Sequence, residues 1–566
     1  MATFYDASIN PGAAVRPPED FVNTDVLIVG AGPTGLMLAN QLARRGVRAL
    51  IIDRHPGPSL QTRALGVQAR TLEIYAKMGI ADRAIELGKR GNGAHLWSEG
   101  RQIGHVALGD AGGKSTPYPY ILVLGQDDNE RIMGDKLRES GVEVQWNTEL
   151  LALEQHASHV VATLKSADGA TRNVTAAWVA GCDGARSSVR TLSGIDFPGA
   201  PYEHVFFVAD VTATGKMAAD EVNVYLWRAG FHLFFPMRGT NHWRIVGIVP
   251  PQLRAQQDLD FAAVMPSLRG EAGASLSIEA CSWFSTYRIH HRAAARFRDR
   301  RCFLLGDAAH VHSPVGAQGM NTGLQDAYNL AWKLALVIQG KADAALLDSY
   351  EAERRPVAQR LLNTTDRGFR LIVSDSPLAG LFRTQILARI MAFAVNRKAV
   401  QRLAFRTVSQ TGIHYRRSPL SAAADGLPQD SPQAGDRFPW MNLQLDAGGS
   451  VQDLFQVLDD TRCNLLVFGQ AAPALSDLDG LLEVHLIPIT AGNEAEQARA
   501  QVPRSAFFLL RPDGHIGLCG RVVDVATIRR YFLEKLALRA EAGHRRTAAG
   551  NRPTAPVASI VKGGAC

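Results

Sequence analysis

The sequence predicts an α/β protein of several units, and three observations carry that prediction. An apolar strand at 25–30 runs through a glycine turn into a helix and back into a second strand ending at Asp53, a βαβ unit that implies a parallel sheet. Period-two stretches between Glu221 and Val249 read as antiparallel strands of a separate sheet. A segment dense in Pro, Gly, Asp and Ser at 416–440 then separates these from a further run of strands and a closing helix. At about 150 residues per domain, 566 residues leave room for two to four such units.

Taken in order, a Pro-rich leader occupies 1–23. The run DVLIVG (25–30) is short and β-branched, as a buried strand is. Leu36, Ala39, Leu42 and Ala43 follow at helical spacing, with Gly46 as a stop, and 47–53 returns as a strand. Further strands are expected around 142–146, 160–165, 178–182 and 205–211, then the antiparallel set VNVYLW and FHLFFPM, then CFLLGD (302–307). A long helix is expected over 320–339, with Leu324, Tyr328, Ala331, Leu334 and Ile338 on one face, and helices dominate 349–406. Strands at 464–469, 484–489 and 507–514 precede a final helix at 525–538.

Composition narrows the classes. With 46% hydrophobic and 20% charged residues, the chain as a whole is neither disordered, collagenous nor a disulfide scaffold. The net charge of +7 is spread along the chain and partly confined to the tail (Arg539, Arg545, Arg546, Arg552), so no nucleic-acid partner is expected. Six cysteines without a C-x-x-C pair suggest neither a zinc site nor a dithiol centre and fit a reducing cytoplasm. The first residues carry Asp6 and no apolar run, so no signal peptide is expected. The most apolar candidate for a membrane span, 381–395, is interrupted by Arg383 and Arg389 and reads as an amphipathic helix packed on the protein. His310 and His312 lack a third ligand, so no metal is expected there.

Three segments carry chemistry. Between the first strand and helix stand Gly30, Ala31, Gly32, Pro33, Thr34 and Gly35. Gly30 serves the turn, Gly32 the approach of a pyrophosphate and Gly35 close helix packing, while Asp53 ends the next strand where a ribose would be held. Gly306 and Asp307 begin a second segment with Pro314, Gly316, Gly319 and Asn321. Asp307 suits a polyol chain, and N–H groups near Gly319, Met320 and Asn321 suit an anionic ring; alone, the segment reads equally as a helix N-cap loop. The third, GCDGARSSVR (181–190), places Arg186 and Arg190 at i, i+4, either facing a phosphate or forming a solvated helix face.

Together these segments resemble the class A FAD-dependent aromatic-ring hydroxylases, typified by para-hydroxybenzoate hydroxylase and phenol hydroxylases. GxGPxGL at 30–36, the DG motif at 182–190 and the GD motif at 306–321 occur in the family's order. The resemblance implies a Rossmann-type FAD-binding domain (24–200 and 291–415) with an inserted antiparallel-sheet substrate domain (201–290). It implies that Gly30, Gly32, Pro33, Thr34, Gly35, Asp53 and Arg54 bind the ADP half of FAD, with Arg63 beside the cofactor and Gln126 at the flavin side chain. Asp183 would serve FAD and NAD(P)H, Asp307 the ribityl chain, and Gly316, Gly319, Met320 and Asn321 the ring. SPL at 418–420, GDRFP at 435–439 and RPDG at 511–514 resemble the appendage of the polychlorophenol hydroxylase branch. That implies a linker at 416–440, a thioredoxin-like C-terminal α/β domain at 441–543 without a redox pair, and a disordered tail at 544–566.

The implied reaction is hydroxylation of a phenolic substrate with O₂ and NAD(P)H through a flavin C4a-hydroperoxide, the nicotinamide visiting without a Rossmann unit of its own. Tyr225, His232, Tyr287 and Arg288, with Phe234 beside them, are candidates to pack or deprotonate the phenol, although residues on alternating strands are commonly core. The family also implies a homodimer. Two other readings stand beside this one: oxidative dehalogenation or denitration, epoxidation or Baeyer–Villiger chemistry on a polycyclic aromatic, and a non-catalytic FAD-binding redox-sensing or interaction protein.

Overall fold

Val26, Leu27 and Ile28 are consecutive and all fully buried, so both faces of their strand, Val22–Val29, are covered. This computed structural model describes residues 22–539 except 60–63, 99, 228–229, 257, 273–275, 313–317, 374–396, 425 and 447. Arg63, Gly316 and the helix read at 381–395 lie outside the described residues.

The helix Pro33–Ala43 carries the chain from Val22–Val29 to Ala49–Ile52, which pairs with it in parallel. The parallel core of the first sheet runs Cys302–Leu304, Thr171–Gly181, Val22–Val29, Ala49–Ile52, Val144–Gln145 in space. The strand read at 178–182 is the end of the longer Thr171–Gly181, whose polar first half pairs antiparallel with Val160–Lys165. Val29 is in register with Gly181, and Gly181 with Leu304. The three motifs therefore leave the carboxyl ends of three adjacent parallel strands, where open α/β sheets bind ligands.

The second sheet has eight strands in the order His310–Val311, Ser277–Ala293, Gly199–Thr214, His242–Ile248, Gly230–Pro236, Val222–Trp227, Gly93–Ser98, Arg101–Ala107. Its last two strands come from the segment assigned by sequence to the first unit. They went unread because Gly93, Gly104, His95 and His105 interrupt any apolar pattern, as edge strands often do. One face packs under the helix Phe261–Ala272, through Phe207, Tyr225, Phe234, Ile245, Val264 and Leu268. The other carries Tyr202, Phe206, Leu226, Phe231 and Ile248, and its Val222 approaches Gly91 of a small three-stranded sheet built on the first unit. That second face therefore adjoins the small sheet whose Gly66 C=O accepts from Asn321 of the glycine-bearing segment 306–321, and is the motif-facing side.

The C-terminal sheet runs Ala422–Ala423, Ile516–Gly520, Ala506–Leu510, Cys463–Phe468, Leu482–Ile487, with parallel pairs at its two edges and antiparallel pairs between. The stretch 416–440, expected as a linker, supplies an edge strand and buries Leu420 and Phe438, so it is part of this unit's core. The closing helix is regular only over Val525–Arg530 and continues as a π-turn, Tyr531–Lys535. The unit docks on the helix Gly319–Ile338 through Trp332, which packs among Leu465, Phe507 and Leu518. Beside it runs a buried seam of charge: Glu353 meets Lys333 at 2.8 Å and Arg511 at 2.5 Å, and Arg511 meets Asp513 at 2.5 Å. No helix among the described residues is long and apolar enough to cross a membrane.

Candidate active site

At the first motif the backbone itself is the device. Gly30 has φ +103°, and a Cβ there would collide with the Cys182 carbonyl; one on Gly35 would collide with the Gly30 carbonyl. Beside Gly32, in contrast, nothing lies within 4 Å of where a Cβ would stand. Gly32 caps the helix Pro33–Ala43 without any side-chain hydrogen bond, so the first-turn N–H groups border open space. A crowded loop with one open side and free donors fits a dinucleotide pyrophosphate. Asp53 Oδ2 accepts from Ala31 N–H at 2.7 Å, and Oδ1 accepts from the His55 backbone at 2.9 Å. Oδ1 also meets the His55 ring at Nδ1, 2.7 Å away, so the carboxylate fastens the turn and keeps its remaining lone pair on Oδ2 for a further donor. Arg54 is exposed on the same loop.

The second and third motifs close on the first. Gly30 abuts Cys182 and the Asp183 backbone, and a Cβ on Gly306 would lie 2.6 Å from Thr34 Oγ1. Gly306 holds φ +57° and donates its N–H to Asp326 Oδ2 at 3.0 Å. Asp326 also meets His310 Nε2 at 2.8 Å and accepts from Arg354 Nε at 2.6 Å. Burial works against its charge, but Arg354 and His310 prevail and hold the carboxyl below the usual range. His310 is thereby a partner of this carboxylate. Asp307 next door remains open to solvent while the fold surrounds it, and burial raises its carboxyl. It is an acid without a protein hydrogen bond among the described residues, pointing to open space at the strand end.

Gly319, Met320 and Asn321 form the first turn of Gly319–Ile338. Asn321 is fully buried: its Nδ2 donates to Gly66 C=O at 2.7 Å, and its Oδ1 accepts from Gln68 N–H at 2.9 Å and Thr71 Oγ1 at 2.7 Å. The side chain clamps helix to loop, leaving the backbone of the turn as what it offers a ligand. Gln126 begins the helix Gln126–Glu139 and donates to Glu130 at 2.8 Å.

The basic face expected at the third motif does not form. The helix starts at Ser188, so Arg186 precedes it and is exposed, whereas Arg190 turns inward to donate to Ala308 C=O at 2.9 Å and Ala185 C=O at 2.8 Å. Arg190 therefore ties the second motif to the third. Asp183 caps that helix, accepting from Ser187 Oγ at 2.5 Å and from the N–H groups of Ser188 at 2.6 Å and Val189 at 3.1 Å. Burial nevertheless raises its carboxyl.

The substrate candidates divide by face. Tyr225 stacks on Trp97 at 5.6 Å and meets Phe234 edge-on at 5.2 Å, and burial pushes its hydroxyl up to about 12. His232 is fully buried between Trp227 and Phe207, with both ring nitrogens lacking a hydrogen bond among the described residues, and burial pushes it down to about 3. Both lie on the face under the helix Phe261–Ala272, and Arg288 is exposed opposite Val205 on that same side. Tyr287 alone of the four sits on the motif-facing side, 6.0 Å from Phe206. The residues missed by sequence are that side's Tyr202, Leu226, Phe231 and Ile248. Alternation predicts two faces but gives no sign of which one meets the cofactor.

Comparison with known proteins agrees with this geometry. Residues 23–365 match the family described as FAD binding domain. The chain is 33% identical over 524 residues to 6-methylpretetramide 4-monooxygenase of Streptomyces rimosus, covering 90% of this chain and 93% of that one. It is 32% identical over 507 residues to pentachlorophenol 4-monooxygenase of Sphingobium chlorophenolicum, covering 88% of each. Among solved structures, the anhydrotetracycline hydroxylase OxyS of Streptomyces rimosus superposes with a TM-score of 0.74 at 28% identity, covering 92% of this chain and all of that one. With the motifs converging as they do, the chain belongs to the FAD binding domain family and is one of its FAD-dependent aromatic monooxygenases.

Proposed function

We propose that the chain hydroxylates a fused-ring phenol, held between the motif-bearing strand ends and the wall of Tyr202, Phe206, Leu226, Phe231, Ile248 and Tyr287. The observation that carries this reading is the contact of the three motifs: Gly30 on Cys182 and Asp183, and Thr34 against Gly306, bring all three to one place at the strand ends. The wall supports a wide substrate, since its side chains come from five strands of a sheet spaced about 4.8 Å apart. The polycyclic substrate named for the tetracycline-pathway relative agrees with that width.

In this reading Gly30, Gly32, Pro33, Thr34, Gly35, Asp53 and Arg54 hold the ADP half of FAD, with Gln126, Asp183 and Asp307 along its chain and Gly319, Met320 and Asn321 at its ring. FAD, reduced by NAD(P)H, supplies the oxygen activation that no side chain provides. The protein's own part is placement and charge. The first-turn N–H groups of Gly319–Ile338 present positive potential to a ring that gains negative charge. Asp307 accepts hydroxyl hydrogen bonds, and Tyr287 packs against the phenol while the apolar wall keeps water away. The mixed C-terminal sheet supports a thioredoxin-like unit at 441–543 serving as a packing partner. Val484 and Leu486, exposed on its edge strand, support a homodimer, and buried free thiols such as Cys302 support a cytoplasmic setting.

The test is a panel of monocyclic and fused-ring phenols given to the purified flavoprotein with NADH or NADPH. The expected result is NAD(P)H oxidation stimulated about tenfold or more by fused-ring members, with one oxygen atom from isotopically labelled O₂ in the product. Stimulation by monocyclic phenols alone overturns the substrate class, and unlabelled product overturns the hydroxylation.

A further inference from the structure

On the face of the second sheet that carries Trp97 and Tyr225, opposite the proposed substrate wall, three ligating side chains converge. His95 and His105 lie ten residues apart, but the hairpin of Gly93–Ser98 and Arg101–Ala107 pairs them directly across the strands. Their rings stack with centroids 4.4 Å apart. Both Nε2 atoms stand 2.7 Å from the same oxygen, Oε2 of Glu221. Glu221 comes from the turn before Val222–Trp227, and its carboxylate lies across Gly93, where a Cβ would come within 2.8 Å of it. The three ligand atoms all lie within 4.8 Å of one another, and the side chains are partly open to solvent, which leaves an entry path.

We infer that His95, His105 and Glu221 form a site for a divalent transition-metal ion of the zinc type. Two imidazoles and one carboxylate form a donor set that zinc accepts at about 2.0–2.2 Å, with water completing a tetrahedron. Nitrogen-rich ligation selects against magnesium and calcium, which take oxygen donors. Without an ion the two imidazoles donate N–H bonds to the one carboxylate; the ion takes the place of those hydrogens. Sequence reading considered only His310 and His312, because the register that joins His95 to His105 is not visible in the chain.

The ion would staple the sheet's outermost hairpin to the strand Val222–Trp227. Ile103 of that hairpin belongs to the motif-facing wall on the other side, so the staple also fixes one end of the surface proposed to hold substrate. A built-in comparison exists: His156 and His159 stack at 4.6 Å, but His156 reaches Glu154 only at 3.4 Å, and that carboxylate is largely exposed.

The experiment uses the FAD-loaded, tag-free chain, stripped of metal and titrated with ZnCl₂ by calorimetry, with retained zinc counted after gel filtration. One zinc per chain is expected. His105→Ala and Glu221→Gln should each weaken binding by about 100-fold or more, His159→Ala should leave it unchanged, and millimolar Mg²⁺ should not compete. Flavin content and Tm of each variant establish that it is folded. Failure of the chain to retain zinc, or retention undiminished in both His105→Ala and Glu221→Gln, overturns the site.

Discussion

The two large sheets contribute to the proposed site by different means. At the carboxyl ends of the first sheet the proposed cofactor site is made of backbone: Gly30, Gly32, Gly35 and Gly306 shape it, and the buried Asp326 carboxylate behind it is held by Gly306 N–H, Arg354 and His310. On the second sheet the proposed substrate wall is made of side-chain volume, and the same sheet leaves the imidazole of His232 buried without a hydrogen bond among the described residues. Backbone geometry admits few substitutes, whereas volume admits many. Changes in the first sheet should therefore act through flavin binding and folding together, and changes in the second should act in graded steps.

The largest effect tests that contrast within one loop. Gly30→Ala meets both a positive φ and the Cys182 carbonyl, so it should cost about 3 kcal/mol or more and yield protein without flavin. Gly32→Ala meets no atom of the protein and should leave the Tm of the flavin-free chain unchanged, while flavin content falls. Thermal unfolding with and without added FAD separates the two. Equal losses of apoprotein stability would remove the argument that the space beside Gly32 belongs to a ligand.

Asp326→Asn comes next. It leaves Arg354 buried without its charge partner, a loss of about 3–5 kcal/mol. Because the Asp326 carboxyl is depressed in the folded state, its contribution is present above the unfolded carboxyl pKa of about 3.9 and is lost as pH falls further. Denaturant titrations at pH 7 and pH 3 should show the gap between wild type and Asp326→Asn narrowing in acid.

On the second sheet the expected changes are kinetic. Phe231→Leu removes ring atoms from a buried side chain but keeps it apolar, so it should cost about 1–2 kcal/mol of stability. It should still raise KM for a fused-ring phenol by about tenfold, since a changed contact in an apolar pocket is worth about 1–3 kcal/mol. The matching change on the far face, Tyr225→Phe, should leave KM unchanged. A rise in KM for Tyr225→Phe with none for Phe231→Leu would reverse the assignment of faces.

This division also accounts for what could be read from the chain. The first strand, its glycine turn, Asp53 and the strand ends at Cys182 and Gly306 were legible, because each glycine serves a local turn that its neighbours in sequence specify. The strands around Val222–Trp227 were legible from alternation, yet the choice of face was not, since both faces are apolar and only the packing of Phe261–Ala272 distinguishes them. The basic face at Arg186 and Arg190 failed because helical spacing was assumed two residues before the helix begins. The charged seam of Lys333, Glu353 and Arg511 was hidden because its members come from two helices and the turn after the strand Ala506–Leu510, segments far apart in sequence.

The smallest effect at neutral pH belongs to His232, and it probes the second sheet's tolerance most directly. The ring makes no hydrogen bond, so His232→Leu breaks none, and an apolar side chain there should change stability at pH 7 by no more than about 1 kcal/mol. Acid should expose the difference. The folded imidazole protonates only near 3, whereas the unfolded one does so near 6.5, so the unfolded chain binds more protons between these values. Wild-type stability should therefore fall as pH drops from about 6.5 toward 3, and His232→Leu should make that slope shallower, because His515, His485, His414 and His290, also lowered by burial, keep their share; the carboxylate-driven loss below about 4 should remain. An unchanged acid slope in His232→Leu would mean that the imidazole is solvated or paired in solution. The contrast between the two sheets would then rest on backbone against volume alone.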